Sequence, residues 1–69
     1  MNVVVVSFLD DGLAEDIDVY RNLQSSAMRW DVEDWIGGPV KIDAFAYDTY
    51  IENNKSGHGV RIQVVEVKP

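Results

Sequence analysis

The residues with the clearest chemical potential are carboxylates, which are concentrated in one third of the chain. Between residues 10 and 34, eight acidic side chains stand against two basic ones, whereas the rest of the chain has four of each sign. The eight acidic residues are Asp10, Asp11, Glu15, Asp16, Asp18, Asp31, Glu33 and Asp34. The whole net charge of −6 therefore arises in this segment. Carboxylates at this density could hold a divalent cation, or they could meet the Lys and Arg side chains of another molecule.

A metal centre or a catalytic site is difficult to assemble from the other residue types. The chain has one histidine, His58, and no cysteine, so it lacks the donors of a zinc site and the nucleophile of a thiol enzyme. The acidic residues do not follow the alternating spacing of a calcium-binding loop, which also requires a central glycine and a closing glutamate. We therefore expect no enzyme activity and no bound metal or cofactor. A solvated acidic face is the simplest structural interpretation of the segment.

Length and composition predict one small domain spanning residues 1–69. Its 46% hydrophobic and 26% charged residues are typical of a folded globular chain. The apolar run at residues 3–9 is too short to span a bilayer and follows no basic segment, so we expect neither a signal peptide nor membrane association. The absence of cysteine fits a reducing compartment, and the predicted location is the cytoplasm.

The first half of the chain predicts a strand followed by a helix. Residues 3–9 are β-branched and apolar without alternation, as in a central strand buried on both faces, and the turn sequence DDG at residues 10–12 ends it. Leu13, Ile17 and Tyr20 begin a stripe at helical spacing that continues to Ala27. This stripe predicts a long helix that starts at Leu13, ends between residues 24 and 30, and carries an acidic outer face.

The second half predicts a short helix and a hairpin. Asp31 can cap a helix over residues 32–36. Gly37 and Gly38 end this helix, and Pro39 prevents its continuation. Residues 40–52 and 60–67 alternate between apolar and polar types, as the two strands of a hairpin do. The predicted fold is α+β, with the order β-α-(short α)-β-β and a three-stranded mixed sheet that has one amphipathic helix packed on one face.

This layout leaves one face of the sheet without a cover. Phe45, Tyr47 and Ile51 lie on one side of the predicted strand 40–52, and alanines that suit close contact with a helix lie on the other. An exposed apolar face is typical of a homodimer or a partner-binding surface. The alternative is that residues 30–39 fold back over it.

Trp30 and Trp35 bracket the last three acidic residues. Tryptophan is enriched among interface hot spots, so either side chain could be an aromatic anchor for a partner. Tryptophan also commonly fills the core of a small domain. The sequence leaves open whether both side chains point inward or one stands beside Asp31, Glu33 and Asp34.

The charge distribution predicts a partner that itself binds nucleic acid. The six Lys and Arg residues are scattered, so direct nucleic-acid binding is disfavoured. Carboxylates three and four residues apart on a helix are separated by distances of the same order as successive duplex phosphates. We therefore predict a non-enzymatic inhibitor that occupies the nucleic-acid site of a basic host protein. The alternative is a small interaction subunit or homodimer that uses Phe45, Tyr47 and Ile51.

In size, charge and lack of catalytic residues, the chain resembles the small acidic DNA-mimic inhibitors that bacteriophages encode. These include anti-restriction and anti-CRISPR proteins and inhibitors of histone-like proteins. The resemblance implies a viral protein with an anti-defence role in the cytoplasm of a bacterial host. It covers overall character and no specific motif, so it assigns no residue.

Overall fold

The computed structural model describes residues 1–68 and contains four strands and one helix in that range. In chain order the elements are β1 (Asn2–Asp10), β2 (Leu13–Tyr20), α1 (Ser26–Ile36), β3 (Asp48–Asn53) and β4 (His58–Glu66). The strands form one sheet in the order β2-β1-β4-β3, and every neighbouring pair is antiparallel. The predicted α+β class is confirmed. The predicted three-stranded mixed sheet is wrong, because the sheet has four antiparallel strands.

The fourth strand is β2, which replaces the predicted long helix. Asp11 and Gly12 have φ angles of 49° and 82°, as the two central residues of a type I′ hairpin turn require. This turn sends the chain directly back beside β1, where Val5 pairs with Val19 and Ser7 with Ile17. The same segment also alternates with period two, because Ile17 and Val19 are apolar and Asp16 and Asp18 are acidic. The turn decides between the two patterns.

Among the described residues there is one helix, α1. It corresponds to the short helix predicted over residues 32–36, but it begins at Ser26 and is therefore longer. Ser25 is its N-cap, and its Oγ accepts a hydrogen bond from the Met28 backbone N–H at 3.2 Å. The predicted end is confirmed, because Gly37 adopts a left-handed conformation and its N–H donates to the Glu33 carbonyl at 2.8 Å. Asp31, predicted as a cap, therefore lies in the middle of the helix.

The predicted strand 40–52 is shorter than expected, because residues 40–47 form a loop. The loop is fixed to α1 at Val40, whose N–H donates to Glu33 Oε2 and whose carbonyl accepts from Arg29 Nη1, each at 3.0 Å. Phe45 and Tyr47 are 91% and 74% exposed in this loop, whereas Ile51 lies in β3 and packs against the core. The predicted Phe45, Tyr47 and Ile51 face is therefore not one surface.

The core lies between α1 and one face of the sheet. It consists of Val4, Val6, Phe8, Met28, Val32, Ile36, Val60 and Ile62. Strand alternation turns Val3, Val5 and Leu9 to the opposite face, which no helix of residues 1–68 covers. Within the described residues, no helix is long and apolar enough to cross a membrane.

Candidate functional site

Four of the predicted acidic residues line one groove between the edge strand β2 and the helix α1. Asp16 pairs with Phe8 and Asp18 with Val6, and both partners are buried beneath α1. The two carboxylates therefore lie on the helix side of the sheet. The groove has a volume of about 220 Å³ and is lined by Phe8, Asp16, Asp18, Asp31, Asp34 and Trp35. We call this feature the acidic groove.

Tyr20 connects the two walls of the acidic groove. Its hydroxyl donates to Asp31 Oδ2 at 2.6 Å, which joins the end of β2 to the middle of α1. Burial raises the pKa of Tyr20 above its usual range, and the hydrogen bond to Asp31 and the charges of Asp31, Asp18 and Asp16 raise it further. The phenol therefore stays a protonated donor to higher pH than an ordinary tyrosine, and its hydrogen bond holds Asp31 in position.

Among residues 1–68, no basic side chain forms an ion pair with a carboxylate of the acidic groove. In the part of the chain that the structure describes, the only ion pair joins Arg61 to Asp48 at 2.8 Å. Arg61 pairs with Ser7 of β1 and so lies on the opposite side of the sheet from the groove. Asp16 Oδ1 accepts a hydrogen bond from the Ile17 N–H at 2.9 Å. Among residues 1–68 this is the one hydrogen bond of the Asp16 side chain. Most of the acceptor capacity of these carboxylates is therefore available to another molecule.

Carboxylates gathered in this way are also the ligands that a divalent cation prefers. Residues 1–68 contain no group of three or more His, Cys, Asp or Glu side chains arranged to hold a metal ion.

Trp30 stands next to the acidic groove on the exposed side of α1. Its side chain is 74% exposed and shares a shallow depression with Glu33 and Asp34. These residues follow Trp30 by three and four positions, so they lie on the same side of the helix. The sequence left its orientation open, and the structure places Trp30 outward beside two acidic side chains.

Trp35 points inward and is part of the fold. Its Nε1 donates to the carbonyls of Leu9 and Gly59, at 3.1 Å and 3.0 Å, and so bridges β1 and β4. The ring stacks on His58 with centroids 4.0 Å apart and meets Phe8 edge-on at 6.0 Å. His58 Nδ1 lies 2.9 Å from the Trp35 carbonyl oxygen, and since that oxygen can only accept, Nδ1 carries the hydrogen.

The remaining predicted acidic residues lie outside the acidic groove. Asp10 and Asp11 are at the β1–β2 turn, where the Asp11 N–H donates to the Gly57 carbonyl at 2.9 Å. Glu15 lies at the irregularity of β2, where the register shifts between Phe8 and Leu9. The structure thus divides the predicted set into the acidic groove, Glu33 beside Trp30, and three residues nearer the hairpin turn.

Comparison of this chain with protein-family models, with curated proteins and with solved structures finds no match. The function is therefore inferred from the geometry of the chain itself.

Proposed function

We propose that this protein is a non-enzymatic acidic inhibitor that binds a basic nucleic-acid-binding protein and blocks its nucleic-acid site. The observation that carries the proposal is the acidic groove, in which Asp16, Asp18, Asp31 and Asp34 come together without a basic partner among the described residues. Such a surface attracts the Lys and Arg side chains that otherwise contact phosphates. The proposed setting is the cytoplasm of a bacterial host, with a phage as the source and no cofactor required.

Trp30 adds an apolar contact that charge alone cannot supply. An exposed tryptophan beside Glu33 and Asp34 can stack on an arginine guanidinium or enter an apolar pocket of the partner. Charge then accelerates association and favours basic partners, while the aromatic contact slows dissociation.

The proposal is tested by capture from a bacterial lysate at low and high salt, followed by mass identification and displacement with duplex DNA. We expect basic nucleic-acid-binding proteins that DNA displaces and that high salt releases. The variant carrying Asp16→Asn, Asp18→Asn and Asp34→Asn should lose them. The matched control, with Asp43→Asn, Glu52→Gln and Glu66→Gln, removes the same charge elsewhere and should retain them. If both variants bind alike, the acidic groove is not the binding surface.

A small interaction subunit is the second candidate, and the exposure of Phe45 and Tyr47 favours it. These two aromatic side chains lie in the loop before β3 and line a groove together with Leu23 and Val64. In that case Phe45→Ser should abolish assembly with the partner, while the charge-neutralised variant should assemble normally.

A further inference from the structure

The acidic groove is bordered by an unpaired strand edge. Within residues 1–68, β2 pairs with β1 alone and ends the sheet. Residues 13–19 of this strand are exposed. An edge strand directs the N–H and C=O groups of every second residue away from the sheet, where they can pair with an extended segment of another chain.

The two faces of β2 differ in chemistry. Asp16 and Asp18 lie on the helix side, next to the acidic groove, and Ile17 and Val19 lie on the open side, where they are 57% and 62% exposed. A strand added at this edge would continue both faces, because side chains directly across a strand pair share a face. Its residues would therefore alternate between an acidic and an apolar environment.

From this pattern we infer that β2 is the docking edge for an extended segment of the basic partner, with Lys or Arg at every second position and apolar residues between them. The basic side chains would enter the acidic groove beside Asp16 and Asp18, within reach of Asp31 and Asp34 on its other wall. The apolar side chains would extend the open face beside Ile17 and Val19. This inference rests on the proposed function, and it specifies how the partner binds.

A second copy of this chain fits the same edge poorly. Antiparallel pairing of two β2 strands about Ile17 places Asp16 of one copy directly opposite Asp18 of the other. Like charges directly across a strand pair are destabilising. The same carboxylates that select a basic strand therefore oppose self-association, which is one way in which proteins protect exposed edges.

The test uses the synthetic peptide acetyl-Lys-Val-Lys-Val-Lys-Val-Lys-amide and the full chain at low salt. A block isomer with the lysines contiguous has the same charge without alternation. Two further peptides carry N-methyl groups, one on every valine amide and the other on every lysine amide. Because alternate residues of the added strand direct their N–H groups toward β2, at least one of these peptides cannot form the hydrogen-bond ladder. We expect the alternating peptide to bind and to slow hydrogen exchange in β2 but not in β3, the other sheet edge. The block isomer and at least one methylated peptide should bind roughly tenfold more weakly or not at all.

Protein variants separate this mode of binding from charge attraction in general. Asp16→Asn with Asp18→Asn should weaken the alternating peptide by roughly tenfold, and the matched control Glu52→Gln with Glu66→Gln should not. Three results overturn the inference: equal binding of alternating and block peptides, no binding of the alternating peptide, or binding without protection of β2. Dimerisation through β2 in sedimentation would assign the edge to a second copy instead. A further combination is equal binding of the alternating and block peptides while the variant with Asp16→Asn, Asp18→Asn and Asp34→Asn still fails to capture proteins from the lysate. In that case the inference of strand addition is wrong and the proposed function stands.

Discussion

Tyr20 and Asp31 join the edge strand to the helix through a hydrogen bond of 2.6 Å between the phenol and Oδ2. Tyr20 lies on β2 and Asp31 on α1, the two elements that flank the acidic groove, and the residues are eleven positions apart in the chain. The bond fixes the position of Asp31 relative to Asp16 and Asp18 on β2. It is therefore a structural contact that also sets the arrangement of charge on the proposed binding surface.

Replacing Tyr20 by Phe should lower the free energy of unfolding by about 1–2 kcal/mol, because a partly buried hydrogen bond to a charged group is lost. Urea denaturation followed by far-ultraviolet circular dichroism measures the change. Tyr50→Phe is the control, since the Tyr50 hydroxyl also donates to a carboxylate, Glu52, but is exposed. A loss from Tyr20→Phe no larger than that from Tyr50→Phe would contradict the structural role of the Tyr20–Asp31 bond.

The same bond predicts how stability depends on alkaline pH. The pKa of Tyr20 is raised in the folded protein by burial and by Asp31, so the folded state retains a proton that the unfolded state releases. The resulting stability is complete below the ordinary tyrosine pKa of about 10 and is lost as pH rises through the raised value. Denaturation midpoints measured across this range should fall more steeply for the wild type than for Tyr20→Phe. Parallel profiles would contradict the prediction.

The sequence predicted the α+β class but assigned β2 to a helix, and the reason lies in two competing periodicities. Leu13, Ile17 and Tyr20 fit one helical stripe, while Ile17 and Val19 alternate with Asp16 and Asp18 as in a strand. Local spacing does not distinguish these patterns over eight residues. The Asp11-Gly12 turn does, because positive φ at both residues returns the chain beside β1. An Asp-Gly pair after an apolar strand was the available signal for a hairpin.

The candidate site was only partly predictable for a related reason. The acidic residues were identified by composition, but their grouping depends on which face of β2 each occupies and on the position of α1. Register places Asp16 and Asp18 on the helix side, and the bulge moves Glu15 out of the pairing. The contact of Tyr20 with Asp31 depends on tertiary packing, so no local pattern of residues indicates it.

The carboxylates of the acidic groove repel one another, and this repulsion should lower the stability of the protein when no partner is bound. Asp18→Asn is expected to raise the free energy of unfolding by a few tenths of a kcal/mol at low salt, because it relieves repulsion from the neighbouring carboxylates. Thermal denaturation at two salt concentrations should show this gain, and high salt should reduce it. Asp48→Asn is the control and should give no gain, since Asp48 already pairs with Arg61. Equal effects of the two substitutions would mean that only net charge matters.

The two tryptophans should separate binding from folding. Trp30 is exposed beside Glu33 and Asp34, so Trp30→Ala should change the free energy of unfolding by less than about 0.5 kcal/mol while weakening capture of the partner. Trp35→Phe should cost about 2–3 kcal/mol, because the carbonyls of Leu9 and Gly59 lose their shared donor and the stack on His58 is reduced.

Chemical denaturation and partner capture, carried out on both tryptophan variants, give the comparison. Trp35 lines the acidic groove, but Trp35→Phe keeps an aromatic ring there and leaves the carboxylates in place, so this variant should retain capture under conditions where it is folded. Fluorescence should support the assignment, because the emission lost in Trp30→Ala should be that of a solvent-exposed indole. Unchanged capture by Trp30→Ala would remove Trp30 from the proposed surface and leave the acidic groove as its only component. Loss of capture confined to the folded Trp35→Phe variant would instead assign the aromatic contact to Trp35, which lines the acidic groove.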